Sequence, residues 1–188
     1  EYQETPDAPE DLKKVPLLTR ADMKKEAEHF RNDLRKSGST DILFHDIFTN
    51  GIGYVNFIFD MKNVPEDLFP YAAVLRTVLG MVDTEHYSYG DLYNEININT
   101  GGINGSINTY SDHDDIGRYL TTFEVNVKVL HENLHWAFDL VREILMTSKL
   151  DDRKRVKEIL DERKSHLQSG LISSGHQTAA VRAMSYMS

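Results

Sequence analysis

Twelve residues, 119–130, constrain this chain more than any other stretch. Phe123, Val125, Val127 and Val129 alternate with Thr122, Glu124, Asn126 and Lys128. Successive side chains of a strand point to opposite faces, so this period of two predicts a long strand with one buried face and one wet face. A slip of one residue would carry every apolar side chain into water, so the register is fixed once the apolar face is covered.

Other segments supply that cover. Pro65-Glu66-Asp67 predicts the start of a helix to about Val82, with Leu68, Tyr71, Ala72, Leu75 and Leu79 at helical spacing. Ser88 with Asp91 predicts a second helix over 88–98, broken by Gly101-Gly102. INGSINTYS (103–111) reads as a strand and 112–115 as a turn. A helix over 131–147 follows, and Asp151-Asp152 open a last one striped by Val156, Ile159, Leu160, Leu167 and Leu171. Upstream, ILFHDIF (42–48) and GYVNFIFDM (53–61) read as strands joined at Asn50-Gly51, a hairpin dipeptide. Residues 19–36 admit two readings. Thr19 with Asp22 suggests a capped helix to Arg35, and the alternative pairs 28–36 with 41–48 through Ser37-Gly38-Ser39. Pro6, Pro9 and Pro16 make 1–18 an extended linker, leaving 19–188 as one domain. The expected fold is α+β, two-layered, with a mainly antiparallel sheet and helices on one face.

A net charge of −9 argues against nucleic acid and anionic membrane as partners. No apolar run approaches a membrane span. Cysteine is absent, which removes disulfides, thiolate metal sites and cysteine nucleophiles, and fits a reducing compartment such as the cytoplasm. The chain begins at Glu1 and ends in a helix-like stretch at Met187-Ser188, as expected of an excised piece of something longer.

His131-Glu132-Asn133-Leu134-His135 matches HExxH, in which two histidines one helical turn apart bind zinc and the glutamate activates water. Three arguments weaken a zinc reading. Chance matches to so short a motif are common. On a helical wheel Leu134, Ala137, Phe138, Val141, Ile144 and Leu145 form the apolar face, and His131 and His135 project beside Asp139 and Arg142 toward water. A third ligand is lacking: a metzincin continuation would need glycine at Phe138 and histidine at Val141, and Glu158 is the sole sensible downstream candidate. His45 reads as an ordinary strand residue. Asp112-His113-Asp114-Asp115 lacks the glycine and distal glutamate of an EF-hand loop. Gly101-Gly102-Ile103-Asn104-Gly105 leads into a strand rather than a phosphate-binding helix. Ser173-Ser174-Gly175-His176 has nothing to organise a triad.

The stretches TPDAPEDLKKVPLL, LFHDIFTNGIGYVNFIFD, VPEDLFPYAAVLRTVL, TGGI with its strand ending in TYSD, and LDDRKRVKEIL with LISSGH span most of residues 4–176. Through them the chain resembles the insulinase-type metallopeptidases, in their presequence-protease (falcilysin-like) branch. Thr49-Asn50-Gly51-Ile52, Pro65-Glu66-Asp67-Leu68 and Thr100-Gly101-Gly102-Ile103 are its most specific motifs. The resemblance implies the third of four related α+β domains that enclose a peptide chamber. It implies zinc in the parent enzyme, on an inverted HxxEH motif in the first domain. Here Glu-His occurs at Glu28-His29 and Glu85-His86, with Lys25 and Val82 where the motif needs histidine. The resemblance therefore implies no catalytic, cofactor-binding or metal residue on this piece, and it favours the hairpin over the helix for 28–36.

The leading expectation is a non-catalytic chamber-wall domain of a zinc-dependent metalloendopeptidase that degrades unstructured peptides. Its partners would be the other domains of the same chain and the peptides in the chamber. A self-contained zincin using His131, Glu132 and His135, and a stand-alone interaction module, are the alternatives.

Overall fold

The computed structural model describes residues 5–26, 29–115 and 117–186. The chain divides into two compact units, Glu1–Phe48 and Thr49–Ser188.

In the first unit the linker is interrupted by one helical turn, α1 (Pro9–Leu12), where Pro9 sits at the helix start. The capping pair at Thr19 forms: its backbone N–H donates to the Asp22 carboxylate at 2.8 Å. What it caps is only a 3-10 turn, Arg20–Asp22. The helix expectation for 19–35 is therefore overturned. Strands β1 (Asp33–Ser37) and β2 (Thr40–Phe44) form an antiparallel hairpin instead. Its two-residue loop starts at Gly38 with φ 61°, the positive φ that a type II′ turn needs at that position. Lys36 pairs with Asp41 at 3.2 Å, and the Arg35 guanidinium lies 4.2 Å from the Phe44 ring centre. β1 starts five residues later than the hairpin reading placed it, and Glu28 lies outside the described residues.

In the second unit three antiparallel strands are ordered β3 (Ile52–Asp60), β5 (Tyr119–Leu130), β4 (Ile103–Ser111). The two strands nearest Asn50-Gly51 do not pair with each other, since β2 belongs with β1 and β3 with β5. The dipeptide still makes the tight turn its chemistry favours. Asn50 and Gly51 have φ 52° and 79°, and Ile52 N–H donates to Thr49 C=O at 3.2 Å. The fold is α+β with open antiparallel sheets, as expected.

Helices α2 (Phe69–Val78) and α4 (Leu134–Thr147) cover one face of the sheet. Their Ala72, Leu75, Ala137 and Val141 pack with Val55, Phe57, Phe123, Val125, Val127 and Val129. Gly105 lets α2 lie close to β4: a Cβ there would stand 2.8 Å from Arg76 Cγ. Helix α3 (Tyr89–Asn99), capped by Ser88, inserts Leu92 between Leu140 and Ile144 of α4. Helix α5 (Arg153–Ser173) is capped by Asp152 and packs Val156 and Ile159 on Val78 and Val82. α6 (Gly175–Met184) follows it.

Several helix expectations need correction. α2 begins after a 3-10 turn (Glu66–Leu68) and ends at Val78, because Gly80 takes φ 81°; Leu68 and Tyr71 are exposed, while Val78 is buried. On α4 Leu140 is buried and Phe138 is exposed, packing edge-on against Phe57 at 5.3 Å. The buried arc is rotated because α4 is wedged between the sheet and α3. Only the first half of the α5 stripe is covered, and Leu160, Leu167 and Leu171 are exposed.

Leu92 is wholly buried, so Leu92→Ala should cost about 2–5 kcal/mol, whereas Leu167→Ala should change stability by no more than about 0.5 kcal/mol. Urea midpoints at constant m-value measure both.

Candidate functional site

The HENLH stretch does not form one regular helix. His131–Asn133 is a 3-10 turn and α4 starts at Leu134. The rule that positions i and i+4 share a face holds for α geometry, and the tighter turn breaks it. The junction is pinned by His131 N–H donating to Gly51 C=O at 2.9 Å, while the His131 ring and Leu134 lie over Gly53. His131, Glu132 and His135 are exposed, and Arg155 engages Glu158 at 3.5 Å. Among the described residues no three His, Asp or Glu side chains converge as a metal site.

The sheet face opposite the helices is chemically richer. Register places Ser106 and Ile58 beside Glu124, Asn108 and Asp60 beside Thr122, and Asn104 and Asn56 beside Asn126. Thr122, Glu124, Asn126 and Lys128 do share this face, as the alternation predicts. The expectation that all four meet water is wrong for two of them: Thr122 is 0% exposed and Glu124 2%. They lie midway along the central strand, where side chains from both flanking strands close over them. Tyr54, Ile58 and Tyr110 on those strands are 64%, 56% and 49% exposed, so the face itself stays accessible.

Glu124 is the hub. It accepts from Thr122 Oγ1 at 2.7 Å, Tyr110 OH at 2.8 Å and Asn56 Nδ2 at 2.9 Å. Burial pushes its carboxyl up, but hydrogen bonds from Thr122, Asn56, Tyr110 and Asn108 outweigh burial and hold it at about 2. The hydrogen bond to Glu124 pushes the Tyr110 phenol up in turn. Asn126 and Asn108 both donate to Ser106 Oγ, at 3.1 and 3.2 Å. The set is a hydrogen-bonding surface: its one buried acid is ionised throughout the neutral range and has no proton to give. Sequence reasoning missed it. The available signal was an acid midway along a central strand, flanked by strands rich in Asn, Ser and Tyr.

A second carboxylate, Glu143, ties the 83–88 loop to α4. It accepts from His86 N–H at 2.9 Å and faces His86 Nδ1 at 3.1 Å, and Thr147 Oγ1 accepts from Glu85 N–H at 3.2 Å. Burial raises the Glu143 carboxyl, but the hydrogen bonds from His86, Thr84 and Thr147 bring it to about 2. Glu143 holds the His86 imidazole above its ordinary value. An apolar groove of about 510 Å³ opens between Phe59 and α2, lined by Met61, Val64, Leu68, Tyr71 and Leu75 with Asp60 as its only ionisable carboxylate.

The family model for the associated domain of the M16 peptidases, subfamily C, matches residues 1–188. The chain belongs to this family. It is 38% identical over 186 residues to Protein HypA of Clostridium perfringens, covering 99% of this chain and 19% of that one. It is 28% identical over 180 residues to Presequence protease 1, chloroplastic/mitochondrial, of Arabidopsis thaliana, covering 96% and 17%. With the mitochondrial presequence protease of Yarrowia lipolytica it shares 26% over 140 residues, covering 74% and 14%. The chain spans about a fifth or less of the length of these relatives. Its family membership and the resemblance to presequence proteases agree. No helix among the described residues is long and apolar enough to cross a membrane.

Glu124 and Glu143 fix the acid behaviour of the domain. Each releases its proton more readily folded than unfolded, so stability is fully present above the ordinary value of 4.5 and falls as pH drops toward about 2. In urea melts from pH 6 to 2.5, Glu124→Gln should flatten that decline, and the Glu124→Gln/Glu143→Gln double variant should flatten it further. His86 acts oppositely: its contribution is full below 6.5 and disappears as pH rises through its elevated folded value.

Proposed function

We propose that this domain is a non-catalytic wall of a peptide chamber in a zinc-dependent metalloendopeptidase that cleaves unstructured peptides, its other domains being its partners. The observation that carries the reading is the accessible polar face built on Glu124. Chamber walls need hydrogen-bond partners for peptide without groups that react with it, and here the buried acid is locked ionised by neutral donors. Family membership and the similarity to presequence proteases supply the peptidase context. Zinc belongs to the parent enzyme in this reading. The side chains here do not fit the ion: the 3-10 turn separates the two HENLH histidines from regular helical spacing, and Glu158 is taken by Arg155. The domain itself supplies no step of the hydrolysis.

Two experiments test the proposal. The 188-residue chain, incubated with an unstructured peptide and zinc, should release no fragments; chelator-sensitive cleavage lost in Glu132→Gln would restore the zincin alternative. In the full-length parent enzyme, a photoreactive residue at Tyr54, on the polar face, should capture bound peptide. The same residue at exposed Met146, on α4, should not. The reverse pattern would remove the face from the chamber.

A further inference from the structure

The register aligns Asn104, Asn126 and Asn56 in one row that crosses all three strands, since Asn126 is opposite Asn56 on one side and Asn104 on the other. Asn56 and Asn104 are exposed and Asn126 half-buried. Asn56 and Asn126 each use the amide nitrogen within the sheet, toward Glu124 and Ser106, and among the described residues their side-chain carbonyl oxygens accept nothing. Among the described residues the Asn104 carboxamide makes no hydrogen bond at all. Strands lie about 4.8 Å apart, so the row spans about 10 Å, the length of about three extended peptide residues.

We propose that this asparagine row binds the backbone of an extended peptide laid across the strands. The inference rests on the chamber-wall reading and specifies what the wall recognises. A carboxamide carries an acceptor and two donors, the same neutral pair of functions that each peptide unit presents. Complementarity of charge points the same way: the row is uncharged, the Glu124 charge beneath it is shielded by Thr122, Tyr110 and Asn56, and neither sign of side chain is favoured. Recognition through the backbone alone accommodates many sequences. Of the row, Asn104 carries the cleanest contribution because it has no structural bond to lose.

The test uses the 188-residue chain, nitrogen-15 labelled, and a neutral Gly-Ser-Ala decapeptide at millimolar concentration. The side-chain amide signals of Asn104, Asn126 and Asn56 should shift together on titration. Asn104→Ala should weaken binding about fivefold, the loss of one or two neutral hydrogen bonds, while Asn63→Ala, in an exposed turn, should not weaken it. A decapeptide N-methylated at alternate residues should bind at least about fivefold more weakly than its parent. Binding that is indifferent to Asn104→Ala and to N-methylation overturns the row as the reader of the backbone. The chamber-wall reading then still stands on capture at Tyr54. Titration that shifts none of the three amide signals also overturns the row. Loss of the Tyr54 capture, with the amide shifts intact, overturns the chamber and keeps the row.

Discussion

Because β5 is hydrogen-bonded along both edges, its two faces cannot exchange roles. Nine residue pairs tie it to β3 and nine to β4, and the side-chain period of two then divides the neighbouring strands in the same sense. Val125 and Val127 fall toward α2 and α4, and Glu124 and Asn126 fall away from them. The apolar half needs only volume. The polar half needs every buried donor and acceptor to be matched, and among the described residues no buried side-chain nitrogen or oxygen lacks a partner.

That matching determines what Glu124 can do. A buried carboxylate with no partner would stay protonated, since desolvation disfavours its charge. Here donors from three strands reverse the outcome, and the acid is ionised with neutral neighbours. A general base that works near neutrality requires the opposite environment, one that raises its affinity for a proton. The hub is therefore suited to holding Tyr110, Asn56 and Thr122 in place, and through them to presenting a fixed polar surface.

Elements defined by local chemistry were legible from sequence. The strands at 103–111 and 119–130 coincide with the alternation, and Ser88 with Asp91 marked the start of α3. Elements that depend on distant partners were not. The 19–35 region has good local helix chemistry, yet 33–37 become a strand because 40–44 lie opposite them across Gly38-Ser39. Burial of Glu124 and Thr122 was hidden for the same reason: it requires knowing that strands flank β5 on both sides. The exposure of Phe138 and the burial of Leu140 follow from where α3 sits, which no pattern within α4 contains. Glu143 and His86, 57 residues apart, were equally out of reach.

The motifs that carried the family resemblance turn out to be backbone devices. TNGI makes the tight turn before β3, and PEDL makes the 3-10 turn that leads into α2. TGGI brings β4 alongside β5: Gly101 N–H donates to Lys128 C=O at 2.6 Å, Lys128 N–H donates to Gly102 C=O at 3.2 Å, and Gly102 takes φ 122°. The motif that most resembles chemistry is subordinate to one of these devices. Gly51 of TNGI accepts from His131, which anchors the start of the β5-to-α4 junction to that turn. A 3-10 turn fills the three residues between this anchor and Leu134, whose side chain packs over Gly53. HExxH chemistry requires continuous α-helix across its five residues, and a junction pinned in this way does not provide it. The same five letters thus read as zinc ligands or as a strand-to-helix corner according to a backbone bond that reaches from His131 back to Gly51.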